Sequence, residues 1–147
     1  MMDDVRKILV PVDFSENSQK ILLEAQLLAE KLQASVAVVF VVQSIADYSG
    51  FFVPHMPIAE FEEDLLQSAK VKMESFVAEN IPGGCESVVL AGDVAEEILA
   101  YAESSGVDMI VMGTHGYKGL EKILFGSVAE QVVKNAPCPV LTINPYK

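Results

Sequence analysis

Short apolar runs alternate with stretches of helical periodicity along this chain until five runs have passed. "KILVPV" (7–12) predicts a buried first strand, and Ile21, Leu22, Ala25, Leu28, Ala29 and Leu32 then mark one face of a helix. "SVAVVFVV" (35–42) predicts the second strand, followed by a helical stripe of Phe61, Leu65, Ala69, Met73 and Phe76. "ESVVLAG" (86–92) is the third strand. Asp93 and Glu96 then have capping-box spacing ahead of the apolar face Ala95, Ile98, Leu99 and Ala102. "VDMIVM" (107–112) predicts the fourth strand, Val128 to Asn135 a short helix, and "PVLTI" (139–143) the fifth strand.

Strands that are apolar on both faces, each followed by a helix, predict an α/β fold: a doubly wound parallel sheet with helices on both sides. Ligands of such sheets sit beyond the carboxyl ends of the strands, where the strand order reverses. Two strand ends here carry unusual residues. One is "PVD" (Pro11, Val12, Asp13), and the other is a loop with four glycines between Gly113 and Gly126. If both line one crevice, strands one and four are neighbours and the order is 3-2-1-4-5.

The remaining features narrow the class. At 147 residues, 51% of them hydrophobic, the chain predicts a single domain over 1–147 with a substantial core. The apolar run at 36–42 is far shorter than the roughly 20 residues of a membrane helix. "MMDDVRK" has no apolar segment after a basic one, so the reading is cytoplasmic, without signal peptide or membrane partner. A net charge of −11 opposes binding to nucleic acid. Cys85 and Cys138 are too far apart for a zinc spacing and read as small packing residues.

An anion remains possible where backbone N–H groups supply the positive potential. Gly113 and Gly116 would turn the chain after strand four and expose such groups. Gly126 and Ser127 would open the fourth helix, with Ser127 and Glu130 at capping-box spacing. Helix N-termini favour anions, so the loop reads as a phosphate cradle. A long turn with a helix cap is the plainer alternative. Neither G-x-x-x-x-G-K-[ST] nor G-x-G-x-x-G occurs.

The spacing G-x-x-G, nine residues, then G-S resembles the ATP-binding pattern of the universal stress protein (UspA-like) family. The similarity extends to "ILVPVDFSENS", "GDVAEEILAYAESSGVDMIVMGTHG" and "GSVAEQVVKNAPCPVLTI". The resemblance implies a doubly wound fold, adenine-nucleotide binding (ATP, or ADP or AMP) and a homodimer. It implies that Asp13, beside Pro11 and Val12, and Val41 hold the adenosine end. It further implies that Gly113 and Gly116 approach ribose and phosphates, and that Gly126, Ser127 and Val128 offer N–H groups to the phosphates. Asp13 could equally cap the next helix beside Ser15, and the two roles are compatible. Val41 could be plain strand core. His115 stands where many members carry arginine and brings less charge at pH 7. Mg²⁺ or Mn²⁺ is therefore expected with a bound triphosphate, at unknown ligands. Lys118 and Lys122 could compensate or be simply solvated.

Residues 44–58, with Phe51, Phe52 and His55, read equally as a cover over the ligand, a patch for a protein partner or a packed crossover. The leading functional reading is a stress-response regulator in which ATP sets conformation or partner choice. A slow ATPase or phosphotransferase comes second, because no Walker lysine, arginine or second acidic cluster marks the γ-phosphate position, and no catalytic residue is assigned. A flavodoxin-like redox protein comes third. The fifth strand and its end (139–144), at a sheet edge, would make the dimer.

Overall fold

The computed structural model of the chain describes residues 4–43, 58–114 and 126–146. Strands β1 (Lys7–Pro11), β2 (Ser35–Gln43), β3 (Glu86–Gly92), β4 (Met109–Gly113) and β5 (Val140–Ile143) form one parallel sheet in the order β3-β2-β1-β4-β5. Helices α1 (Glu16–Leu32), α2 (Ile58–Asn80), α3 (Val94–Ser104) and α4 (Ser127–Asn135) alternate with them. The strand order is the one expected from the two unusual strand ends.

Alternation along the strands builds a core on each face of the sheet. Ile8 and Val10 meet Ile21, Leu22 and Ala25 of α1 and Met73 and Phe76 of α2. Leu9, Ala37 and Val39 on the opposite face meet Ala95, Ile98 and Ala102 of α3 and Ala129 and Val132 of α4. Each helix presents one apolar stripe, and both stripes of the sheet are covered, as a parallel sheet requires. Ser15 caps α1 by accepting from Ser18 N–H at 3.3 Å, and Asp93 caps α3 by accepting from Glu96 N–H at 3.1 Å. Cys85 and Cys138 are free thiols packed at the margins of the two cores. Burial first, and Glu86 or Asp108 second, raise their pKa values.

Some expectations are corrected. Leu32 and Phe61 are exposed, not core. Leu32 is the last residue of α1, where the chain turns through a left-handed Gln33. The 23 residues of α2 reach about 35 Å, against about 23 Å for the seven of β3. The first turns of α2, with Phe61, therefore outrun the strand beneath. The fourth strand begins at Met109 because Asp108 instead turns its carboxylate to the amides of Arg6 and Lys7, at 2.9 and 3.0 Å. Among the described residues no helix is long and apolar enough to cross a membrane.

Candidate functional site

In a parallel strand the N–H and C=O of one residue point to the same neighbour, and successive residues alternate sides. Even-numbered residues of β1 face β2: Arg6 C=O accepts from Ser35 N–H, and Val12 N–H donates to Val39 C=O. Odd ones face β4, where Lys7 C=O accepts from Asp108 N–H. Pro11 is odd, so the N–H it lacks is the one that would have addressed β4. The paired register of β1 and β4 ends at Leu9 and Ile110. Beyond that point the strands part, and a cavity of about 520 Å³ opens at the place where the strand order reverses.

Parity also fixes the β2 wall. Val39 faces β1, so Val41 does as well, yet β1 has already turned away into Asp13. Val41 N–H and C=O have no backbone partner among the described residues and stand side by side at the cavity. They form an adjacent donor and acceptor.

Asp13 sits where β1 enters α1. Its Oδ1 accepts from Ser15 N–H at 3.0 Å, from Ser18 Oγ–H at 2.7 Å and from the Ser15 hydroxyl. Its own N–H donates to Ser18 Oγ at 2.8 Å. Ser18, the one polar residue on the buried face of α1, therefore anchors the carboxylate. Oδ2 has no hydrogen-bond partner among the described residues. The next residue, Phe14, has φ +65°, a costly conformation for a bulky side chain. Its ring is held against Phe40 (centroids 4.5 Å apart) and edge-on to Phe76 (5.6 Å).

The opposite wall comes from β4 and α4. Thr114 N–H donates to Ile143 C=O at 2.9 Å, and Thr114 C=O accepts from Gly126 N–H at 3.1 Å. That second bond fixes Gly126 in extended conformation (φ −64°, ψ 158°) as the N-cap of α4, with no side-chain cap hydrogen bond among the described residues. The amides of Ser127, Val128 and Ala129 are left without acceptors among the described residues. All four residues line the cavity.

The universal stress protein family model matches residues 4–144 of this chain. The chain belongs to the universal stress protein family. It is 38% identical to universal stress protein MJ0531 of Methanocaldococcus jannaschii, over 97% of this chain and 84% of the relative. The solved structure of MJ0577 from the same organism is 32% identical, covers 97% of each chain and superposes with a TM-score of 0.77. A universal stress protein from Archaeoglobus fulgidus, solved in complex with dAMP, covers 97% of this chain with a TM-score of 0.64. At 23% identity that likeness is one of fold.

In this universal stress protein the cavity brings together Pro11, Val12, Asp13, Val41, Gly113, Gly126, Ser127 and Val128. His115 and Gly116 lie outside the described residues, as do Lys118, Lys122, Phe51, Phe52 and His55. Ser127 is not the N-cap expected from its spacing to Glu130. The Gly126–Thr114 bond starts the helix one residue earlier, and Glu130 pairs with Lys134 at 3.0 Å. Among the lining residues the sequence reading missed are Asn17, Ser18, Thr114, Val94 and Ile98. For Ser18 a signal existed: a serine on an otherwise apolar helical stripe. Asp13 is the single carboxylate among the described lining residues, and no group of three or more His, Cys, Asp or Glu in the described residues could hold a metal ion.

Proposed function

We propose that this cavity binds an adenine nucleotide, ATP foremost, and that occupancy sets the conformation or partner choice of a stress-response regulator. One observation carries the reading: two sets of backbone groups that have no partner among the described residues, at Val41 and at the start of α4, open into the same cavity. The donor and acceptor of Val41 complement N1 and the N6 amino group of adenine. The α4 amides, at the positive end of the helix dipole, suit phosphate oxygens. Asp13 Oδ2 suits a ribose hydroxyl. The volume falls in the roughly 300–1,000 Å³ range of small-ligand sites.

Binding ranks ahead of turnover. Phosphoryl transfer draws on cations around the γ-phosphate, and the one charged side chain among the described lining residues is an anion, Asp13. With so few carboxylates, Mg²⁺ or Mn²⁺ would ride on the phosphates instead of in a protein cage. A homodimer about β5 is part of the proposal, supported by exposed Leu141 on that edge strand and exposed Val133 on α4. So is a cytoplasmic location.

Mass spectrometry of the small molecules released by denaturing freshly purified protein tests the ligand class, and adenine nucleotide is the expected result. Incubation with Mg-ATP should leave most of it intact over many minutes. Turnover on the order of 1 per second, ordinary for an enzyme, would move the assignment to an ATPase. Failure to bind any adenine nucleotide at millimolar concentration would remove the reading.

A further inference from the structure

The chain does not end at β5 but is tied back onto the cavity wall. We propose that residues 144–146 form a strap that tightens when nucleotide is bound and reports occupancy at the edge of the sheet. The inference rests on the nucleotide reading of the cavity and adds a regulatory element to it.

Three contacts contribute to the strap. Asn144 Oδ1 accepts from Tyr146 N–H at 2.9 Å, a local turn that brings the tail back toward the first turns of α1. There Asn17 Nδ2 donates to the Tyr146 hydroxyl at 3.1 Å, and Lys20 Nζ reaches the Pro145 carbonyl at 3.4 Å. Asn17 lines the cavity assigned to the nucleotide. Asn17 and Tyr146 also both line a second cavity of about 860 Å³ on the other side of Asp13 and Phe40. The tail thus sits in a wall shared with the site.

A second connection runs through the backbone. Ile143, the last residue of β5, accepts from Thr114 N–H, and Thr114 C=O holds Gly126 N–H at the head of α4. The strap is therefore joined to the site at both ends, through Asn17 on the α1 side and through Thr114 on the phosphate side. It lies at the surface, since Tyr146 remains 48% exposed. Segments of that kind open locally at low cost. A ligand that fixes Asn17 and Gly126 disfavours the opening, and linkage then requires an intact strap to favour the ligand by the same factor.

Hydrogen exchange of the amides from 140 to 146, read by mass spectrometry with and without Mg-ATP, provides the test. Exchange should slow by about fivefold on saturation, near the lower end of ordinary coupling. Tyr146→Phe, which removes the hydroxyl alone, should reduce the difference and weaken ATP binding by about twofold or more in calorimetry. Lys20→Met, which cuts the other tether, should act in the same direction without touching Asn17. A tail contributing only stability would lower the melting temperature in both variants and leave ATP affinity unmoved. That result, or tail exchange indifferent to bound ATP, overturns the strap while the nucleotide site stands. A parent protein that takes up no ATP removes the site and the strap together.

Discussion

Gly126→Asp separates a phosphate cradle from a bare helix cap, because the two predict opposite changes. Gly126 has extended φ and ψ at an N-cap, and among the described residues an added Cβ would meet nothing within 4 Å, so the backbone accepts the substitution without strain. The new carboxylate would accept from the amides of Val128 or Ala129, which have no acceptor among the described residues. Asp in place of Gly at an N-cap gains a few tenths of a kcal/mol, and a negative charge at the helix dipole adds about 0.3–1 kcal/mol. The ligand-free protein should therefore melt about 1–4 °C higher. The same carboxylate occupies the donors proposed for phosphate. Losing two charge-assisted bonds at about 1.5–3 kcal/mol each weakens ATP by at least a hundredfold, before any repulsion between the anions. Calorimetric titration with Mg-ATP, and thermal melts with and without it, read both effects. Ser127→Ala serves as control: Ser127 is a helical residue with no capping bond, so binding should change by less than about threefold. A Gly126→Asp protein that binds ATP like its parent would falsify the phosphate position, and one that melts lower would show that the α4 amides were not free.

Guanine reverses the donor and acceptor at the edge that Val41 would read, so GTP should bind at least about thirtyfold more weakly than ATP; equal affinities by calorimetry would take Val41 out of base recognition. Leu141→Glu places a charge on the exposed face of β5, and light scattering at micromolar concentration should shift from dimer to monomer mass. A parent that is already monomeric, with and without ATP, ends the dimer proposal. Burial raises the pKa of both thiols, with Glu86 and Asp108 adding to it, so at pH 8 less thiolate is present than in an unfolded chain. Iodoacetamide labelling of Cys85 and Cys138 should accordingly be slow in the folded protein, accelerate in denaturant, and rise with pH above the ordinary thiol range; labelling as fast as free cysteine at pH 8 would contradict this.

The fold was legible because its cause is local and repeated: runs apolar on both faces can be satisfied only between two layers of helices, and right-handed crossovers leave little choice of order. Parts of the cavity wall were legible for a different reason. Pro11 and Gly126 are residues whose backbone chemistry is written in their identity, whereas Gly113, expected to turn the chain, is the last residue of β4, in register with Ile143. Asn17, Val94 and Ile98 were not found, since which helical residues face a cavity depends on how α1 and α3 rotate against the sheet. Leu32 and Phe61 failed for the complementary reason, because periodicity marks a face without saying where the partner surface ends. The Ser127–Glu130 spacing misled because a distant bond, from Gly126 to Thr114, decides where α4 begins.

How a chain of net charge −11 could hold an anion follows from the same geometry. Lysines scattered over an acidic surface are paired or screened, and a free anion approaching it meets a repulsive field. A helix end presents fixed partial charge at short range, and Gly126 has no side chain to close that end as a serine or aspartate would. The missing N–H of Pro11 has a matching role, since a residue able to donate there would extend the β1–β4 ladder into the space the ligand would occupy. The strained turn at Phe14 belongs with them: held by Phe40 and Phe76, it lets the chain leave β1 abruptly, so that among the described residues the Val41 donor and acceptor and one Asp13 oxygen have no partner. The proposed recognition is thus carried by backbone that the sheet declines to pair. On this argument, substitutions that keep the backbone path at Val41 or Ser127 should be tolerated, whereas those at Pro11 and Gly126 change the site itself.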